Sequence, residues 1–348
     1  MNPDKSNTSK RKKEHLELCL TDDVSFKRKS TGFENYEFKH YAITEVDIAK
    51  IDFTSEFVSK TIKYPFLISC MTGGTTEAEN INAQLALVAE KLKIPIGVGS
   101  QRQALENNEF VNSFKIVRKN APNVPILGNI GAAQVTQFKS IDPIHKLLEM
   151  IMGDALVIHV NPLQELLQKE GEINFSGFLD KVINLVNNLK VPVIVKEVGS
   201  GISEEAAEKL LEAGIKGIDV SGAGGTSWAG VEILRNKDDQ NNYFWDWGLP
   251  TSYCIKEVFK LKKNYKFTLI GSGGIKNGSD AAKAFALGGD MVASARQVLQ
   301  TLHKYGVEKT ADYIQSIFRE ISKIMYLTGS QNINDLRMNK LIRKELFY

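Results

Sequence analysis

The sequence predicts an α/β fold: one closed (β/α)8 barrel with a short N-terminal extension and C-terminal helices. Three observations predict it. From Pro65 onward, short apolar runs recur at 66–71, 94–98, 126–130, 155–160, 191–195, 217–220, 267–270 and 291–293. Each has the length and branched composition of a buried parallel strand. Most are separated by stretches of helical period, at 81–92, 144–151, 178–189, 204–213, 252–261 and 279–287, the rhythm of successive βα units. Every run then ends in glycine or polar residues on the same side, and closure of a barrel gathers those ends at one mouth. An open doubly wound sheet would carry GxGxxG after its first strand, and Thr72-Gly73-Gly74-Thr75 lacks that spacing. The absence of GxxxxGK(S/T) excludes the phosphate loop of nucleoside triphosphatases.

Composition narrows the class. The 348 residues are 43% hydrophobic and 24% charged, with a formal net charge of +3, as in an ordinary soluble globular protein, and the charge balance does not suggest nucleic acid. No apolar run approaches a membrane span. Residues 1–13 are polar and basic, unlike a secretory signal. Cys19, Cys70 and Cys254 lie far apart with no CxxC pair, which points to a reducing compartment, the cytoplasm.

In chain order, residues 1–60 form the extension, 61–310 the barrel and 311–348 a helical tail. Residues 1–13 read as irregular when free. The basic cluster Lys10-Arg11-Lys12-Lys13 leads into a short helical pattern; it is either a solvated tail or a flap that closes on an anionic ligand. Between 33 and 53, Tyr36, Phe38, Tyr41, Ile43 and Val46 alternate irregularly, as in small strands or loops. Around 327–329 a helix stops at Gly329, a second short helix follows at 333–336, and the basic end packs or meets another subunit.

The loop ends carry the chemistry. Gly271-Ser272-Gly273-Gly274 after the seventh strand and Ala295-Arg296 after the eighth stand where barrels bind phosphate. There, backbone N–H groups and a helix N-terminus face the anion. Ser221 and Thr226 on the sixth loop add hydroxyls, and Arg296 a bidentate donor. Lys196 ends an apolar strand, either in a salt bridge or facing an electron-rich ligand. A flavin mononucleotide (FMN) fits this set, because its reduced ring carries negative charge. Its phosphate would sit at the last two loops. Its ring would lie over the earlier strands, beside Met71, Thr72, Gly73, Ser100 and Asn129. The fourth strand ends in His159, Asn161, Gln164 and Glu165 around Pro162. Glu165 is either a magnesium ligand or a first-turn helix residue. Gln164 orients substrate or relays a proton. His159 is a donor toward the ligand or a satisfied buried histidine. Arg11, Lys12, Gln101 and Arg102 supply cations and donors for a diphosphate.

The motifs Arg11-Lys12-Lys13-Glu14-His15-Leu16, Met71-Thr72-Gly73-Gly74, Gly97-Val98-Gly99-Ser100-Gln101-Arg102, His159-Val160-Asn161-Pro162-Leu163-Gln164-Glu165, Val195-Lys196-Glu197-Val198-Gly199 and Asp219-Val220-Ser221-Gly222-Ala223-Gly224-Gly225-Thr226 follow one another in that order. With Gly271-Ser272-Gly273-Gly274, they make the chain resemble the type 2, FMN-dependent isopentenyl-diphosphate Δ-isomerases over nearly its whole length. The resemblance implies a TIM barrel that interconverts isopentenyl and dimethylallyl diphosphate, using reduced FMN, NADPH as reductant and Mg2+. It further implies that Arg11, Lys12, Ser100, Gln101, Arg102 and Gln164 bind substrate. It implies too that Glu165 holds the metal, and the expected catalytic set is Gln164, His159 and Asn161. The FMN set is Met71, Thr72, Gly73, Ser100, Asn129, Lys196, Ser221, Thr226, Gly273, Gly274, Ala295 and Arg296. A homo-oligomer, tetramer or octamer, is implied as well. One departure is Ala295-Arg296-Gln297-Val298, where the family often has Ala-Arg-Pro-Phe.

The competing chemistry is an FMN-dependent 2-hydroxy-acid oxidoreductase on the same barrel. It needs a histidine base at the late strands, and none of His15, His40, His145, His159 and His303 ends the sixth or seventh. A non-catalytic barrel that only binds phosphorylated ligand is the other alternative, and it leaves the eight decorated loop ends without a purpose.

Overall fold

The computed structural model describes residues 5–21, 23–106, 108–237, 239–337 and 340–346. A helix opens it, α1 (Lys5–Thr21). The barrel elements follow: β1 (Phe66–Ile68), α2 (Thr76–Leu92), β2 (Ile96–Gly97), α3 (Asn112–Asn120), β3 (Ile126–Gly131), α4 (Asp142–Ile151), β4 (Ala155–His159) and α5 (Phe178–Asn188). Next come β5 (Val193–Lys196), α6 (Glu204–Glu212), β6 (Gly217–Asp219), α7 (Trp228–Asn236), α8 (Thr251–Phe259), β7 (Thr268–Ser272), α9 (Gly278–Ala286), β8 (Met291–Ser294) and α10 (Arg296–Thr328). Among the described residues the eight strands pair in parallel, each with its neighbours in sequence, and β8 closes on β1 through Ala293 and Leu67. The barrel expected from the sequence is therefore present. The α3 and α7 helices were not expected.

Alternation along the strands builds two cores. Leu67, Leu127, Ala155, Val157, Ile194, Ile270, Met291 and Ala293 point into the barrel and fill it. The opposite faces, such as Ile68, Ile130, Leu156, Ile158 and Val195, pack beneath the helices. The N-terminal end is plugged by a hairpin, Ser55–Phe57 against Lys60–Ile62, whose Phe57 and Ile62 join the interior cluster. Its turn residues Val58 and Ser59 both have positive φ, 44° and 63°, the backbone hand that matches strand twist.

The two ends of the chain meet: Tyr36–Phe38 pairs antiparallel with Leu341–Arg343. Within α10, Gly306 breaks helical geometry at φ 77°. Beyond it Phe318 stacks against Phe53, Tyr64 and Phe66. The irregular reading of residues 1–13 needs correction, because α1 already begins at Lys5; residues 1–4 lie outside the described residues.

Candidate active site

Two residues past an inward-facing position of the barrel, at the next position facing the same way, five of the strands turn polar. Leu127 gives way to Asn129, Val157 to His159, Ile194 to Lys196, Gly217 to Asp219 and Ile270 to Ser272. The parallel register sets His159 beside Lys196 and Lys196 beside Asp219. Above this polar layer opens a cavity of about 460 Å3, within the ~300–1,000 Å3 typical of small-molecule sites. Of the twenty candidate positions, nineteen line it. Met71, Thr72, Gly73, Ser100, Arg102, Asn129, His159, Asn161, Gln164, Glu165 and Lys196 line it. So do Arg11, Lys12, Ser221, Thr226, Gly273, Gly274, Ala295 and Arg296.

Gln101 is the exception and corrects the expectation. Its side chain is fully buried; Nε2 donates to Leu147 O at 2.9 Å and Oε1 accepts from Asn129 N at 3.1 Å. It braces β3 from behind and has no donor left for a diphosphate.

On the floor of the cavity, Lys196 is 7% exposed and donates to the Glu197 carbonyl. Asp219, 1% exposed, accepts from Ser272 through Oδ1, while its Oδ2 has no partner. Burial raises the Asp219 carboxyl above the usual carboxylate range, against the opposing pull of Lys196. The loop after β5 is gathered by one carboxylate oxygen: Glu197 Oε2 accepts from the N–H groups of Val198, Gly199 and Gly201 at 2.6, 2.5 and 3.1 Å. His159 Nδ1 lies 2.9 Å from Asn129 Oδ1. Burial first, then the charges of Lys196 and Lys12, push the imidazole down to about 3. His159 is thus a neutral donor and acceptor, not a cation for an anionic ligand.

At the phosphate end, Gly273 and Gly274 have φ of 102° and 76°. A Cβ on Gly273 would collide with the Gly222 backbone, so glycine is needed for two loops to pack as well as to bare their amides. Ser221 holds a positive φ of 37° without being glycine, a local strain typical of functional sites. The N-terminus of α10 has Ala295 as its cap, with no side-chain cap hydrogen bond, and a helix N-terminus favours an anion. Arg296 donates to Cys19 O and Ser25 Oγ, both at 3.0 Å. Ser25 also bridges to Thr226, so residues after α1 are strapped across this end.

The opposite wall belongs to α1 and the segment after β4. Lys12 Nζ donates to Gly73 O at 2.7 Å and Ser100 O at 3.0 Å. Burial, with Arg11 and Arg102 nearby, pushes its ammonium down to about 7. Arg102 pairs with Glu106 and Glu172 at 2.8 and 2.9 Å. Pro162 starts a one-turn helix, Pro162–Leu167, that aims Gln164 and Glu165 back at the mouth. Asn161 Nδ2 donates to Glu165 Oε1 at 3.0 Å and Gln164 Oε1 at 3.1 Å. Glu165 Oε2 accepts from Glu172 N at 2.8 Å.

Sequence reading missed the partner of Gln164. Its Nε2 donates to Glu232 Oε1 at 3.2 Å, and His15 Nε2 reaches the same oxygen at 2.8 Å. Trp228 stands edge-on to His15, 5.3 Å between centroids. Trp228 and Glu232 share α7 one turn apart, a spacing visible in the sequence once 228–236 is read as a helix.

The residues present fit an FMN. Lys196 and a buried polar layer suit the ring, and the glycine loops with the N-terminus of α10 suit the phosphate. They also fit one Mg2+. The buried Asn161 Oδ1 has no partner and belongs to the Glu165 cluster. Among the described residues no group of three or more His, Cys, Asp or Glu is placed to hold a metal by itself. A single carboxylate suits Mg2+ that draws its remaining ligands from water and substrate phosphates.

Residues 157–343 match the FMN-dependent dehydrogenase family. The barrel is similar in fold to the flavin-binding domain of baker's yeast flavocytochrome b2 (TM-score 0.69, 19% identity, covering 94% of this chain and 81% of that one). It is similar likewise to a mandelate oxidase variant (TM-score 0.67, 15% identity, 97% of both). Two relatives named isopentenyl-diphosphate delta-isomerase are far nearer in sequence. That of Chlorobium phaeobacteroides is 44% identical over 97% of this chain and 96% of its own length. That of a Nostoc species is 42% identical over 97% of both. By its barrel, its cavity and these full-length likenesses, the chain belongs to the isopentenyl-diphosphate delta-isomerase family, on the FMN-dependent dehydrogenase fold.

Proposed function

We propose that this protein interconverts isopentenyl and dimethylallyl diphosphate. The observation that carries the reading is the Gln164 amide, held between Asn161 and Glu232 on one wall of the cavity whose other wall brings Arg11 and Lys12. When bound, reduced FMN supplies a ring nitrogen able to exchange protons with allylic carbons, Mg2+ supplies charge beside the diphosphate, and NADPH serves as the reductant.

The chain's own residues do the rest. Lys196 would face the electron-rich part of the ring. Gly273, Gly274, Ser221, Thr226 and the N-terminus of α10 would take the phosphate. Met71, Thr72, Gly73, Ser100 and Asn129 would support the ring, and His159, 2.9 Å from Asn129 Oδ1, would keep that amide oriented. Glu165, with Asn161 Oδ1, would hold the metal. Arg11, Lys12, Ser100 and Arg102 would take the diphosphate. Gln164 would orient the alkene and pass a proton toward Glu232. With α1 across the mouth, the alkene is kept from bulk water.

The same reading carries a homo-oligomer, tetramer or octamer, in a reducing cytoplasm, in keeping with three free cysteines. The test is anaerobic incubation of the purified protein with isopentenyl diphosphate, FMN, NADPH and Mg2+. Dimethylallyl diphosphate should form. Its absence from protein that has visibly bound FMN would overturn the proposal. Unimpaired turnover by Gln164→Asn would remove Gln164 from the mechanism.

A further inference from the structure

Arg235 takes no part in the steps above, yet three carboxylates from three segments converge on it. Its side chain is 8% exposed. Nε pairs with Glu14 of α1 at 3.1 Å, and one terminal nitrogen pairs with Glu170, after the Pro162–Leu167 turn, at 2.7 Å. The other terminal nitrogen pairs with Glu232 Oε2. Glu232 is itself fully buried and spends its remaining oxygen, Oε1, on His15 and Gln164. One residue on, Asn236 Nδ2 donates to Leu167 O at 2.9 Å, so the end of α7 is stitched to the same turn.

A planar guanidinium has fixed donor directions and serves three acceptors at once, which an ammonium cannot do with the same geometry. Its position means that docking of α1 and the aim of Glu232 share one group. We propose that Arg235 is a positioning residue: it latches α1 over the mouth through Glu14 and, through Oε2, fixes Glu232 so that Oε1 faces Gln164. This deepens the isomerase reading and rests on it for the kinetic part alone.

The two links separate by mutation. Glu14 is partly exposed and, among the described residues, its ion pair is with Arg235, so Glu14→Gln loosens α1 while the Arg235–Glu232 pair stays. Arg235→Lys keeps the charge and loses the fork. The FMN-loaded protein and both variants are digested briefly with trypsin, and cleavage within the Lys10–Lys13 cluster is timed. Initial rates of isopentenyl diphosphate turnover are measured alongside.

Both variants should be cut faster than the parent. Glu14→Gln should raise KM roughly two- to fivefold with little change in kcat, as expected for a partly exposed pair. Arg235→Lys should also lower kcat, by roughly tenfold, as expected for a misaimed group next to the chemistry. Cleavage of both at the parental rate would overturn the latch. Equal kcat in the two variants would overturn the aiming of Glu232. If the parent binds FMN and catalyses no isomerisation, the proposed function falls, and the cleavage rates alone still decide the latch.

Discussion

Lys12 and His159 show how one cavity treats two cations differently. Lys12 is held near 7 by burial and by neighbouring Arg11 and Arg102, although it touches two carbonyl oxygens. A bound diphosphate restores its charge, so the complex binds more protons than the free protein wherever pH exceeds about 7. Affinity for inorganic pyrophosphate should therefore fall as pH rises above that value. Calorimetry at pH ~8 in buffers of different ionisation heat should show proton uptake that Lys12→Met abolishes. For His159 the folded value, about 3, lies below its ordinary 6.5. Between those values the unfolded chain binds the extra proton, so this group's linkage removes stability as pH falls from 6.5 toward 3. Urea midpoints at pH ~5 and ~7.5 should differ less in His159→Gln than in the parent. The basic cluster nominated Lys12 from the sequence, and its strand-end position nominated His159. Neither signal was enough to reveal which side of the backbone Gln101 faces, because its neighbours Ser100 and Arg102 do reach the cavity.

At the scale of elements, legibility followed local pattern. The strands declared themselves because branched apolar runs have few other homes. The hairpin plug did not, because its Val58-Ser59 turn adopts positive φ without the usual Asn-Gly signature. The α7 helix was hidden by its place behind the glycine-rich sixth loop and by Gly230, which presses against Trp245. With α7 went Glu232, which holds Gln164 from behind, and Trp228, which lines the cavity. The second half of α10 carries a prediction of its own. Phe318 is 2% exposed, and its ring centroid lies 5.0 Å from that of Phe53 and 4.5 Å from that of Tyr64. Phe318→Ala should cost about 3–5 kcal/mol, the usual penalty for emptying a buried aromatic site. Urea unfolding measures it, and FMN titration of the folded fraction should give the parental affinity, since this contact lies far from the mouth.

Across the whole molecule, stability and closure rest on separate packing. The barrel interior and its helix shell are two large clusters, whereas α1 reaches the body through a small one of Cys19, Val24 and Val231, with Leu18 and Trp228 beside it. Its other ties are polar: Lys12 to two carbonyls, His15 to Glu232, Glu14 to Arg235, and the Cys19 carbonyl to Arg296. An element attached mainly by polar bonds at a wet mouth is drawn from the low-stability end of the fold, where opening is possible without global unfolding. Deleting residues 1–21 should therefore leave a folded barrel. Circular dichroism should report native secondary structure less one helix, with a melting temperature only a few degrees lower. FMN should still bind, because the glycine loops and Lys196 stay in place. Inorganic pyrophosphate should not bind measurably, because Arg11 and Lys12 leave with α1. A truncated chain that binds pyrophosphate like the parent would show that the anion site lies within the barrel alone. One that fails to fold would show that closure and stability are not separable.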